Sequence, residues 1–341
     1  MATGVRPPGA RARRMRWAAL VLAAAVISSV LLSLAVGSRN IGVGEVLRAV
    51  LSDLDSDNAT VIRSQRVPRT ILGVLAGAAL GMAGALMQGH TRNPLADPGL
   101  FGVSAGASFG VAVLVFGLGI EAPGAQATAA LVGAAAATAA VFLVGLRSLH
   151  SGALVMLAVV GTTLSALLVA LTMAMILLDR RTLNVLRFFE VGSIANREDQ
   201  VLLTVAPLLV VGAVLALANG FALNQLGLGV EIARVLGARV RTARVVGILA
   251  ITLLIGPATA LCGPIVFVGL VAPHAARRIT GHDYRWLVPL AGLIGVVLLL
   301  VADVVGRVCA PPGELEAGIV MAAIGAPVLI GLTRRRRVVA L

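Results

Sequence analysis

The residues best placed by type and spacing to do covalent chemistry are Gly102, Ser104 and Gly106, which spell the Gly-x-Ser-x-Gly of a hydrolase nucleophile. That pattern activates serine only on a strand-to-helix elbow with a histidine base in reach. Here it opens an apolar run suited to a helix, where small residues serve helix packing instead. Asp53, Asp55 and Asp57 begin like a calcium loop, but Asn58 takes the place of the turn glycine and Ser64 that of the bidentate glutamate. The stretch reads as a solvated acidic loop. Cys262 and Cys309 lack metal or redox spacing, and His90, His150, His274 and His282 form no ligand pattern. No His-Glu-x-x-His motif occurs. Neither a metal site nor a cofactor is expected. A phosphate loop is excluded as well: it needs a lysine, and all 28 cationic side chains are arginine. The chain is therefore expected to be non-catalytic, with any ATP-driven work done by a partner.

The elements that would carry these residues are membrane helices. Of 341 residues, 59% are hydrophobic and 13% charged, too little polar surface for a soluble domain of this size. Apolar runs of span length recur along the chain. They predict an all-α integral membrane protein of about ten transmembrane helices, at 17–36, 69–90, 100–117, 127–146, 153–178, 201–219, 243–260, 264–276, 286–305 and 317–332. The eighth is short and bracketed by Gly256-Pro257, Gly263-Pro264 and Pro273, which predicts a tight hairpin shielded by its neighbours. A basic stretch, residues 1–16, precedes a single ten-helix transmembrane domain at 17–333, and a basic tail follows at 334–341. The first apolar run is too long for a signal peptide and reads as an uncleaved helix.

Ten spans put both termini on one side, and most arginines then fall on that side, as the positive-inside rule requires of the cytoplasm. The net charge of +13 is thus a matter of topology in a lipid-embedded chain, and no nucleic-acid partner is expected. Glycines repeat every fourth residue at Gly73, Gly77 and Gly81 and again at Gly102, Gly106 and Gly110. Such seams let backbones approach, within the chain or between subunits.

Three polar segments stand out. The turn after the second span, with Asn93, Pro94, Leu95 and Pro98 and with Gln88 just before it, is rigid. It reads as helix capping or as a gate that closes a pore. The loop 220–244 holds Gly229, Val230, Glu231, Ala233, Arg234, Val235, Leu236 and Gly237. It predicts a short helix whose apolar side is Val230, Ala233, Val235 and Leu236, with Gly237 as its C-cap. A helix too short to span invites a protein partner, or lies on headgroups. Arg66, Arg69 and Arg307 fall on the side where arginine is disfavoured, near Asp303 and Glu314.

These segments, in this order, resemble the permease family of ABC importers for iron–siderophore, haem and cobalamin cargo (FecCD-type). The matching stretches begin with Arg66-Val-Pro68-Arg69, Gly77 to Gly81, Met87-Gln88, Asn93 to Pro98 and Gly102 to Gly106. They continue with Leu223-Asn224, Ala233 to Gly237, Gly263 to Leu270, Ala272-Pro273-His274, Ala302-Asp303 with Arg307, Glu314-Leu315 and Ile324 to Pro327. The likeness covers nearly the whole chain from about Ile41 onward.

The resemblance implies a ten-helix permease in the bacterial plasma membrane, paired with a second permease subunit, identical or paralogous. It further implies a cytoplasmic ABC ATPase dimer and an extracytoplasmic substrate-binding lipoprotein that delivers an iron–siderophore or haem-like complex. Leu223, Asn224, Gly229, Glu231, Ala233, Arg234, Leu236 and Gly237 would couple to the ATPase. Gln88, Asn93, Pro94 and Leu95 would form the gate. Arg66, Arg69 and Arg307 would face acidic residues of the binding protein. The chain departs from the family at Glu316, where proline is usual, and at Phe188-Phe189, where a tryptophan is common before Gly192-Ser193. A metal-ion ABC permease and a secondary transporter are the competing readings; the second would need ionisable residues in mid-span.

Overall fold

The computed structural model describes residues 8–37, 41–52, 56–97, 102–146, 153–195, 199–310 and 313–335. Among them every regular element is helical: α1 (Pro8–Ala35), α2 (Val43–Leu51), α3 (Asp57–Val61), α4 (Val67–Thr91), α5 (Val103–Leu118), α6 (Pro123–Leu146), α7 (Ala153–Leu178), α8 (Arg180–Val191), α9 (Asp199–Gly227), α10 (Val230–Val235), α11 (Val240–Cys262), α12 (Val268–Thr280), α13 (Tyr284–Cys309) and α14 (Ala317–Arg335). Each of the ten apolar runs is a helix. Seven of these helices are long and apolar enough to cross a bilayer, and α5 and α14 are shorter apolar helices.

The eighth run departs from its expected hairpin. Gly263 and Phe267 both take left-handed backbone, with φ of 72° and 69°, so α11 stops at Cys262 and residues 263–267 are non-helical. The chain then re-enters a single helix, α12, which passes Ala276 and ends at Thr280. Its Pro273 has no N–H to offer the carbonyl of Gly269 one turn earlier. That carbonyl accepts instead from Gln88 Nε2 at 3.3 Å. A broken span survives in this way, by borrowing a donor from a neighbour.

α4 lies at the centre of the bundle, against α13 most of all and also α11, α12 and α9. The α4–α13 crossing is close because Gly77 and Gly81 meet the backbone of Gly295 and Ala291; a Cβ on Gly81 would run into the Ala291 carbonyl. Gly106 and Gly110 of α5 meet Ala129 and Gly133 of α6 in the same manner. Both glycine seams therefore serve packing within the chain. By contrast α7 is mostly unburied along its apolar length.

Helices α2, α3 and α8 are too short to register as spans. Asp57, expected in a loop, starts α3 behind the N-cap Ser56; Asp53 and Asp55 lie outside the described residues. A π-helical turn, Ile62–Arg66, joins α3 to α4 and turns Ile62 and Arg66 inward. Both are buried, and Ile62 belongs to a small second core with Leu34, Ile41, Val46 and Ala59. α8 is capped by Asp179, whose carboxylate accepts from the Thr182 N–H at 2.9 Å and is held below its usual pKa by Thr182. α1 starts at Pro8, so positions 11, 13, 14 and 16 of the basic stretch lie on the same helix as the first apolar run. α14 carries Arg334 and Arg335, while Arg336 and Arg337 lie outside the described residues.

Candidate functional site

At the bundle end that carries α2, four charged side chains form one network. Arg69 donates to Asp303 Oδ1 through Nη2 at 2.7 Å and Nε at 3.1 Å, and to Glu314 Oε2 through Nη1 at 2.8 Å. Arg307, one turn beyond Asp303 on α13, pairs with its Oδ2 at 2.9 Å. Asp303 is thus buried between two guanidinium groups, whereas Glu314 is exposed. Pro68 sits in the first turn of α4, where its missing N–H leaves no bond unmade, and it fixes the helix start that presents Arg69.

The same arginines close α1. The last four carbonyls of a helix have no partner within it. Arg66 Nη1 donates to the carbonyls of Leu34 and Ala35 at 2.7 and 2.9 Å. Arg307 Nη1 donates to those of Ser33 and Val36 at 3.0 and 2.8 Å. Two cations therefore complement the negative end of the α1 dipole. Ser33 Oγ also contacts Thr70 Oγ1 at 2.8 Å, fastening α1 to α4. Of the three arginines singled out in the sequence, Arg66 and Arg307 are buried and engaged within the chain, and Arg69 is mostly covered.

At the opposite end lie the turn after α4 and the loop around α10. Arg92 ends α4 in left-handed backbone (φ 51°) and donates through Nη2 to the Leu226 carbonyl at 2.6 Å, so the turn and the end of α9 are strapped together. Asn93 Oδ1 accepts from Leu95 N–H at 3.0 Å, and Ala96 N–H donates to the Asn93 carbonyl at 3.1 Å. An Asx turn inside a β-turn, with Pro94 at its second position, leaves little freedom. Asn93 is exposed and Pro94 and Leu95 are half-buried; Pro98 lies outside the described residues. Gln88 points into the bundle, bound to Gly269 as described above.

α10 forms where the sequence places it. The N–H of Gly237, at φ 80°, donates to the Arg234 carbonyl at 3.0 Å, and Ala238 N–H donates to that of Ala233 at 2.9 Å. These two bonds make a Schellman end, which only glycine adopts without strain. The apolar side differs from expectation. Ala233 is buried and Val230 half-buried, but Ile232, Val235 and Leu236 are exposed beside Glu231 and Arg234. A one-and-a-half-turn helix cannot turn all of its apolar residues inward at once.

Two further ties were not legible beforehand. Asn224, at the end of α9, donates Nδ2 to Asp283 Oδ1 at 2.7 Å and accepts from Tyr284 N–H at 2.8 Å. Asp283 caps α13 and is clasped by Arg285; these bonds hold its carboxyl at about 2. An aspartate immediately ahead of an apolar run was the available signal. His90 is buried against Asn219. Because Asn219 Nδ2 donates to the Ala243 carbonyl at 2.7 Å, its Oδ1 is the acceptor, and His90 Nε2 carries the proton across 3.0 Å. This chain of bonds fastens α4 to α9 and α11, the two helices that flank α10.

No group of three metal-ligating side chains occurs among the described residues. Ser104 lies in the first turn of α5 and not on a strand-to-helix elbow.

The profile of the FecCD transport family matches residues 20–335. The chain belongs to that family. Its relatives include the ferric enterobactin transport system permease protein FepD of Escherichia coli, 44% identical over 91% of this chain and 93% of that one. The Fe(3+)-citrate import system permease protein YfmD of Bacillus subtilis is 40% identical over 90% and 91% of the two chains. The hemin transport system permease protein HmuU of Yersinia pestis is 35% identical over 90% and 93%. Among solved structures, one described as an inward-facing metal-chelate type ABC transporter superposes with a TM-score of 0.82 at 28% identity, covering 93% of this chain and 98% of the other. The fold of this FecCD member is that of a metal-chelate ABC permease.

Proposed function

We propose that this chain is the membrane permease of an ATP-driven importer for iron chelates, siderophore or haem-like. The observation that carries the reading is α10. It is a short helix held between α9 and α11 by a Schellman end, it exposes Ile232, Val235 and Leu236 together with Glu231 and Arg234, and it is strapped through Arg92 to the turn that bears Asn93 and Leu95. A small amphipathic helix that leaves its apolar residues uncovered calls for a protein to cover them. With the family's architecture, that protein is the ATPase, and the Arg92 strap carries its movement to the gate turn.

In this reading both termini and α10 are cytoplasmic, which agrees with the arginine bias. The uncovered α7 faces lipid and a second permease subunit. At the outer end, Arg66 and Arg307 serve docking of the binding protein indirectly, by fixing the end of α1, and Arg69 with Glu314 supplies the charged rim. Such rim charges steer encounter more than they add affinity. The test is uptake of a radiolabelled ferric siderophore into vesicles that hold the chain with its co-purified ATPase and binding protein. Uptake should require ATP and all three components. Uptake driven by a proton gradient alone would overturn the reading in favour of a secondary transporter.

A further inference from the structure

At the α10 end a cavity of about 800 Å³ opens between α4, α9, α12 and α13. Its walls include Arg92, Asn224, Leu228, Arg277, His282 and Asp283. The charge in it is unbalanced. Asp283, the one carboxylate in the lining, is already bound by Arg285 and Asn224. Arg92 is bound only to a neutral carbonyl, and neither it nor Arg277 has an ion-pair partner among the described residues. Arg277 sits in the last turn of α12, where the helix dipole favours a cation, but its Nη1 is buried with no hydrogen-bond acceptor. Gln88 Oε1, an acceptor, is a second unpartnered atom on a lining residue. A buried donor such as Arg277 Nη1 is normally satisfied, and a guanidinium fork matches a carboxylate best.

We infer that this cavity receives an acidic side chain of the ATPase subunit, whose carboxylate binds Arg277 with Arg92 beside it. The inference rests on the importer reading. The ATPase is favoured over lipid or cargo because one wall, Leu223, Asn224, Gly227 and Leu228, is the chain leading into α10. A subunit covering α10 therefore covers the mouth of the cavity too. The ATPase would then be held at two points: α10 for apolar contact, and the cavity for charge and register. Cavity docking would also set the strap, since Arg92 lines the cavity and grips Leu226 at once.

The probe is the ATPase that co-purifies with the tagged wild-type chain, and the measurement is its affinity for the permease in nanodiscs across a salt series. Arg277→Gln should weaken binding roughly tenfold and flatten its salt dependence, with Arg277→Lys intermediate because it keeps the charge and loses the fork. Leu228 is exposed, so its variants leave the bundle intact and serve if Arg277→Gln melts early. Leu228→Glu should weaken binding and Leu228→Arg should not. Equal affinity for the Glu and Arg variants at Leu228, or an unchanged salt slope for Arg277→Gln, overturns the inference while the importer reading stands. If the wild-type chain retains no ATPase, both fall together.

Discussion

Arg69 and Asp303 meet side by side, two guanidinium nitrogens on one carboxylate oxygen at 2.7 and 3.1 Å, across 234 positions of sequence. The pair ties the start of α4 to the far end of α13. Because Asp303 is 1% exposed and also serves Arg307, its removal leaves the buried Arg307 without a counter-ion and Arg69 with only the exposed Glu314.

Asp303→Ala should therefore lower stability by about 3 kcal/mol or more, the cost of breaking a buried pair. Glu314→Ala, at the exposed side of the same network, should cost less than about 1 kcal/mol. Thermal unfolding in detergent compares them, and equal losses would contradict the inward bias of the network.

Gly81→Ala should cost about 2 kcal/mol, since the added methyl meets the Ala291 backbone and the helices must part. Gly44→Ala in α2 faces open space and should be neutral or stabilising, as alanine favours a helix. Only the Gly81→Ala melt should fall.

Gly237→Val should leave insertion and the bundle's melt near wild type, because nothing lies within 4 Å of a side chain there. Its φ of 80° nonetheless excludes valine from the native C-cap. Uptake and ATPase retention should fall together, and Glu231→Arg should do the same by reversing a charge. Wild-type uptake in both variants would reduce α10 to a surface helix.

Cysteines at Asn93 or Leu95 should cross-link between two permease subunits in at least one nucleotide state. The exposed Cys309 must first become serine; Cys262 is buried and can stay. An active importer that never cross-links would place the gate elsewhere.

The Asn224–Asp283 tie should be insensitive to pH across the physiological range. Asp283 titrates near 2 in the folded chain against about 3.9 unfolded, so its stabilisation is complete above about pH 4 and is lost as pH falls towards 2. The gap in melting temperature between wild type and Asp283→Asn should stay constant from pH 5 to 8 and shrink in acid. A gap that closes near pH 6 would show that another group holds α9 to α13.

The helices were legible because apolar runs of span length admit few other structures, and the end of α10 because Gly237 stands where a C-cap needs left-handed backbone. What escaped were relations between distant residues. Nothing near Arg66 announces that its partners are carbonyls on α1, since backbone acceptors carry no residue signature. Gln88 read as a capping or gate amide at the membrane boundary, because the vacancy it fills is made by Pro273, nearly two hundred positions on. α8 was hidden by its length, as a helix of a dozen residues with mixed polarity matches neither a span nor a loop. The family likeness implied docking and coupling roles for particular positions, but their burial and strapping are visible only in three dimensions.

The arginine caps on α1 also set an order of assembly. α1, made well before α13, waits for a donor 274 residues downstream before the carbonyl of Ser33 is satisfied. Arg66 can serve the Leu34 and Ala35 carbonyls early, but those of Ser33 and Val36 stay open until Arg307 has left the ribosome and its helix has entered the bilayer. A nascent chain cut short anywhere before that point carries an α1 whose Ser33 and Val36 carbonyls lack their donor, so the end of one helix is completed only by another made 271 to 274 residues later.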